Sequence, residues 1–273
     1  TGVDGFRLDG LKHISPDFFP AWLDHIHANH AKSFFTIGEY WKNDVAHLLR
    51  YIRLTGGRIK LVDVPLHFNL HKASTEKHFD LRKIFNDTLV EQAPESAITF
   101  VDNHDTQPLQ ALVSTVEPWF KPMAYALILL REGGTPCVFY PALYGAKYSD
   151  QDEKGKLQDI EMHPIPAVME MMRVRKSFAY GTQTDYFNHK HLVGWTRSGL
   201  ENEPQSGCAV VISNGSQGEI KMTMGEQHAG QMFYDVTGGI SGAVLLDKNG
   251  EGVFPVKEKN VSVYIPTVDG SQR

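Results

Sequence analysis

Cysteine is nearly absent: only Cys137 and Cys208 occur in 273 residues, far apart and without a CxxC spacing. Two such residues make neither a disulfide framework nor a thiolate zinc site, and they read as small buried apolar side chains. Long hydrophobic runs are missing too. The longest, Met123 to Leu130, contains a tyrosine and stops at Arg131-Glu132, which is short of a membrane span. No lysine- or arginine-rich run stands out and the net charge is −5, so neither nucleic acid nor a membrane is expected as a partner. Solenoid repeats and low-complexity stretches are lacking as well. The chain does not open on methionine. Thr1-Gly2-Val3-Asp4-Gly5-Phe6-Arg7-Leu8-Asp9 already reads as a core strand running into an acid. Residues upstream are therefore expected, and the lack of a targeting segment carries no information.

What is present is ordinary globular composition, 41% hydrophobic and 22% charged, in a chain long enough for one large domain or two ordinary ones. Through about residue 178, short apolar runs alternate with helical periodicity. Strands are predicted at Val3–Leu8, Phe34–Gly38, Ile59–Val64, Ile98–Asp102 and Pro136–Tyr140. Helices are predicted at Pro16–His30, Val45–Leu54, Leu81–Glu91, Trp119–Arg131 and Ala167–Phe178. Such alternation calls for a parallel sheet covered by helices. From Gly181 the pattern changes to short β-rich runs at 193–196, 208–212, 220–224, 232–235, 244–246 and 261–265. Turns at Asn214-Gly215, Gly238-Gly239 and Asn249-Gly250 separate some of them, the mark of an antiparallel β-sandwich. The expected domains are residues 1–180 and 181–273.

Three acids fall where predicted strands end: Asp9, Glu39 and Asp105. In a parallel α/β barrel the C-terminal ends of the strands face the active site. Asp9 and Glu39 come from consecutive strands, whose axes lie about 4.7–4.9 Å apart. A retaining glycosidase needs two carboxyl groups about 5–5.5 Å apart, one as nucleophile and one as acid/base. Arg7, two residues before Asp9, projects to the same face and would favour an ionised Asp9, while the negative charge of Asp9 would keep Glu39 protonated. Asp105, beside His104, would add negative charge as the sugar ring turns cationic. Against this stands the plainer reading of an acid after a strand as a turn or N-cap residue. His67 and His71, four apart, lack a third ligand in register and read as packing histidines.

At these residues the sequence resembles a known family. Gly5-Phe6-Arg7-Leu8-Asp9-Gly10-Leu11-Lys12-His13-Ile14 is similar to the second conserved region of the α-amylase family of glycoside hydrolases. Gly38-Glu39-Tyr40-Trp41 resembles the third region, and Phe100-Val101-Asp102-Asn103-His104-Asp105-Thr106 the fourth. Asp63-Val64-Pro65-Leu66-His67, Trp119-Phe120-Lys121-Pro122 and Val193-Gly194-Trp195-Thr196 extend the likeness to its bacterial liquefying members. The resemblance implies an α/β fold: the C-terminal portion, the last five βα units, of a TIM (β/α)8 barrel, followed by an all-β antiparallel sandwich. It implies endo-hydrolysis of α-1,4-glucan with Asp9 as nucleophile, Glu39 as acid/base and Asp105 as transition-state stabiliser. Arg7 and His104 would assist, Lys12 and His13 would contact sugar on the leaving-group side, and Tyr40 and Trp41 would offer stacking faces.

The resemblance also implies a structural calcium, to which His13 would lend a backbone carbonyl while the other ligands lie upstream. A second calcium site of some secreted members falls where this chain has Asn188-His189-Lys190-His191 and Asn214 instead of acids, so that site is not expected. The intact protein is expected to be a monomer. Likeness at Val116-Glu117-Pro118-Trp119 and Leu129-Leu130-Arg131-Glu132 to intracellular members points to the cytoplasm, with secretion as the alternative. Five strands leave an edge that a barrel would pair, so residues 1–273 by themselves are expected to be unstable or inactive. The alternatives are an α-glucosidase or transglycosylase of the same family, or a non-catalytic glucan-binding protein.

Overall fold

The computed structural model describes residues 2–29, 34–203 and 205–267. Among them the chain separates into two compact units, one of residues up to Asn69 with Phe85–Phe100 and Gly133–Cys137, the other of Leu70–Ile84, Val101–Glu132 and the chain from Val138 onward.

The first unit is built on five parallel strands, β1 (Gly5–Leu8), β2 (Phe35–Gly38), β3 (Lys60–Val62), β4 (Ala97–Phe100) and β5 (Thr135–Cys137), hydrogen-bonded in that spatial order. Its helices are α1 (Phe18–Asn29), α2 (Val45–Leu54), the start of α3 (Val64–Thr75) and the short α4 (Leu89–Gln92). The first two helices each bury an apolar stripe: Phe19 and Leu23 from α1, and Leu48, Tyr51 and Ile52 from α2, pack in one core with Leu11, Ile59 and Leu61. At the start of α2 the Asp44 side chain accepts the His47 N–H at 3.2 Å, and Gly56 and Gly57, both at positive φ, follow its end. This parallel sheet with its helices is the C-terminal part of a (β/α)8 barrel.

Several boundaries differ from the sequence reading. Ile59–Val64 shortens to β3 because the Asp63 carboxylate accepts the Leu66 N–H and caps α3, a helix the periodicity did not predict. Pro136–Tyr140 becomes Thr135–Cys137, since Tyr140 already starts α6 (Tyr140–Tyr144). The helix predicted over Leu81–Glu91 is a single 3-10 turn at Leu81–Lys83 and then α4, separated by Asp87 at φ 57. His30, the predicted end of the first helix, lies outside the described residues.

In the second unit, α5 (Lys121–Leu129) packs with α7 (Pro166–Ser177), and a separate hairpin pairs β6 (Ala146–Gln151) with β7 (Leu157–Met162). The six-stranded antiparallel sheet runs in the order β13 (Ala243–Leu245), β12 (Met232–Asp235), β15 (Asn260–Pro266), β10 (Cys208–Ser213), β9 (Leu192–Arg197), β8 (Gln183–His189). A two-stranded sheet, β11 (Gly218–Thr223) with β14 (Glu251–Val256), is the other layer. Ala209, Val211 and Tyr264 meet Met222, Phe254 and Val256 in the core of this sandwich. Four of its strands are longer than their apolar runs, and β8, β14 and the β6–β7 hairpin have no counterpart in the sequence reading.

Candidate active site

Asp9 and Glu39 each directly follow a strand, β1 and β2, and the two strands are in register with Arg7 opposite Ile37 and Leu8 opposite Gly38. Pairing continues past the strand ends: Glu39 N–H donates to the Leu8 carbonyl at 2.8 Å, and Leu11 N–H to the Glu39 carbonyl at 2.9 Å. Glycine is required at two points. Gly10 turns the chain at φ 55 into the 3-10 turn of Leu11–His13. At Gly38 an added Cβ would come within 2.3 Å of Leu11 Cδ1 and 2.7 Å of Ile59 Cγ2.

Side chains alternate as a strand requires. Phe6 packs its ring on Trp22 of α1 at 4.8 Å, so Arg7 and Asp9 project from the opposite face. There the Arg7 guanidinium donates one nitrogen to Asp9 and the other to Glu39. The second of these contacts has no counterpart in the sequence reading, which pairs Arg7 with Asp9 alone. The two carboxylates sit in different surroundings: the side chain of Asp9 is 77% exposed and that of Glu39 10%. One cation thus ties together an open carboxylate and an enclosed one from adjacent strands.

Asp105 belongs to the second unit and lies past the end of β4, in a turn rather than at the strand terminus. The turn is self-capped. Asn103 Oδ1 accepts the N–H groups of Asp105 and Thr106, both at 2.9 Å, and Asn103 N–H donates to Thr106 Oγ1 at 2.9 Å. The Asp105 carboxylate faces His104 Nε2 at 3.4 Å, and His104 is 62% exposed.

The remaining predicted site residues are spread around the ends of β1 and β2. Lys12 and His13 are exposed, and Lys12 Nζ reaches the Trp41 carbonyl at 3.5 Å. Tyr40 is half-buried with its ring 4.9 Å from Tyr51, and Trp41 lies against His67, Phe68 and Phe100 at 5.9–6.3 Å. His67 itself stacks on Phe100 at 5.1 Å, a packing role. His13 offers calcium a single carbonyl, but calcium takes six to eight oxygens. Among the described residues no group of three or more His, Cys, Asp or Glu side chains is placed to hold a metal ion. The described residues by themselves do not make up a site for the ion.

Sequence reasoning gave no role to two buried acids. Asp63 is fully buried and accepts N–H groups from Leu66, Leu89 and Val90 at 3.0, 3.1 and 2.7 Å. Burial pushes its carboxyl up to about 6, and the three N–H groups pull against that. Asp102 pairs with Lys121 Nζ at 2.8 Å and accepts the Val116 N–H at 3.0 Å. The readable signal at Asp63 is a helix-capping acid before Val64-Pro65.

Residues 208–265 match the family described as α-amylase C-terminal. An α-amylase of Geobacillus stearothermophilus is 45% identical over 97% of this chain and 47% of its own length. The chain belongs to the α-amylase family. The cytoplasmic α-amylase of Escherichia coli (strain K12) is 44% identical over 97% of this chain and 53% of its own. The chain therefore spans about half the length of the curated relatives it matches. A crystal structure of an Anoxybacillus α-amylase shares the fold with a TM-score of 0.71 at 19% identity, covering 100% of this chain and 60% of the other.

Proposed function

We propose that the full-length protein is an α-amylase, hydrolysing internal α-1,4 bonds of starch, glycogen and maltooligosaccharides with retention of configuration. The observation that carries this reading is the single guanidinium of Arg7 on both Asp9 and Glu39, at the ends of adjacent parallel strands. On this reading the two carboxylates flank one sugar bond, one to attack the anomeric carbon and the other to donate a proton on the opposite face. On this reading exposed Asp9 attacks the anomeric carbon, and enclosed Glu39 protonates the leaving oxygen. Glu39 then activates the water that resolves the glycosyl–enzyme, while Asp105, assisted by His104, stabilises the cationic ring. Lys12 and His13 bind sugar on the leaving-group side, and the partly exposed faces of Tyr40 and Trp41 contact the glucan.

The same reading assigns residues 1–180 to the barrel part and 181–273 to the sandwich, in keeping with a parallel sheet ending at Cys137 and an antiparallel one starting at Gln183. It takes the protein to act as a monomer, and it places the protein in the cytoplasm because the Escherichia coli relative is named a cytoplasmic α-amylase. A structural calcium would need ligands beyond those of this chain.

The test is Asp9→Asn in the full-length protein. Turnover of amylose should disappear while starch binding stays nearly unchanged, and the unmodified protein should cut amylose mid-chain and release products first in the α-anomeric form. Surviving turnover in Asp9→Asn would refute the assignment. Glucose released singly from chain ends would favour an α-glucosidase, and glucan binding without any hydrolysis a binding protein.

A further inference from the structure

We propose that Asn103 is the positioning residue for Asp105, a role that rests on Asp105 acting in the reaction as read above. The carboxylate of Asp105 is anchored weakly on its own account, since its ion-pair partner His104 is 3.4 Å away and largely exposed. Its place must therefore be set through the backbone. The Asp105 N–H is accepted by Asn103 Oδ1 at 2.9 Å, and the Asp105 carbonyl accepts the Leu112 N–H at 3.1 Å. The same Oδ1 takes the Thr106 N–H, so one side-chain oxygen fixes two consecutive peptide planes around Asp105.

Asn103 can do this because the chain is held on either side of the turn. On one side Asp102 is buried, joined to Lys121 Nζ at 2.8 Å and to the Val116 N–H at 3.0 Å. On the other, Thr106 is fully buried, and its carbonyl accepts from Ser114 N–H at 3.1 Å and Thr115 Oγ1 at 3.0 Å. Between these anchors only a short side chain with an acceptor oxygen closes the turn. The glucan-facing carboxylate is thus aimed by a residue that does not itself need to touch sugar.

The experiment compares Asn103→Ala, Asn103→Asp and Asp105→Asn in the full-length protein on amylose. Asn103→Ala removes the acceptor, and kcat should fall about 100-fold, the usual consequence of a misplacement near 1 Å, with KM moving far less. Asn103→Asp keeps an oxygen that accepts both N–H groups, so it should restore kcat to within about tenfold of the unmodified protein. Wild-type kcat in Asn103→Ala, or equal losses in Asn103→Ala and Asn103→Asp while the latter melts at the wild-type temperature, would overturn the proposal. If Asp105→Asn itself keeps full activity, the role of Asp105 falls, and the aiming role of Asn103 falls with it.

Discussion

The buried carboxyl of Asp63 makes a pH-dependent prediction whose sign follows from its surroundings. It sits at the first turns of α3 and α4 and accepts three main-chain N–H groups, yet burial dominates and pushes it from 3.8 to about 6. A folded state that holds the proton more tightly than the unfolded chain is favoured at low pH. The contribution of Asp63 to stability is therefore fully present below about pH 4 and lost as pH rises through about 6. At 1.36 kcal/mol per pH unit the loss amounts to about 3 kcal/mol.

Asp63→Asn has nearly the same shape and does not titrate. Its Oδ1 can still accept from Leu66 and Leu89, while its amide group opposes the Val90 N–H at a fixed cost of about 1–3 kcal/mol. Urea unfolding of the full-length protein and the variant, measured at intervals from pH 4 to 7, isolates the group because every other titration is shared. The stability advantage of the unmodified protein should shrink by about 3 kcal/mol across that range. An advantage that stays constant, or that grows with pH, would show that the N–H dipoles outweigh burial and would refute the reasoning.

Two further changes probe packing and charge. Gly38→Ala places a methyl group against Leu11 and Ile59 and should cost about 1–3 kcal/mol in urea unfolding, with a fall in amylose turnover because Glu39 is the next residue; unchanged stability and turnover would mean the strand ends repack freely. Lys121→Met leaves Asp102 buried without its cation and should cost about 3–5 kcal/mol, little altered by added salt; a loss under 1 kcal/mol would assign Asp102 to its Val116 hydrogen bond alone.

The parallel strands and the acids after β1 and β2 were legible because a buried strand and its terminal charge are contiguous in sequence. Val45–Leu54 was read to the residue, since its apolar spacing and the Asp44 cap agree. Elsewhere a local signal was outvoted by periodicity. Thr88-Leu89-Val90-Glu91 is a capping pattern, with the Thr88 hydroxyl accepting the Glu91 N–H and Glu91 accepting the Asp87 N–H, and it restarts a helix that hydrophobic spacing had run straight through. The strands without counterparts have no uninterrupted apolar run: β6 and β7 pair with alternate residues exposed, β8 is mainly polar and lies at a sheet edge, and β14, though it buries Phe254 and Val256, is broken by Pro255. The contact of Arg7 with Glu39 was not readable, because it depends on the β1–β2 register, which sequence spacing does not fix.

The acids are held by different means, and the difference bears on how each tolerates change. The backbones around Asp9 and Glu39 are spliced by strand pairing that carries on beyond the strands, through Glu39 N–H to Leu8 and Leu11 N–H to Glu39, at a place where Gly38 leaves no room for a Cβ. Main-chain hydrogen bonds of this kind survive side-chain replacement, so conservative changes at Asp9 or Glu39 should alter chemistry without moving the strand ends. Asp105 instead depends on a side chain, Asn103, for its backbone position. A substitution two residues away can therefore act on it as strongly as a change of the acid itself. Remote substitutions that reduce turnover while sparing the fold should accordingly concentrate around residues 102–116, where side chains do the holding, rather than along β1 and β2.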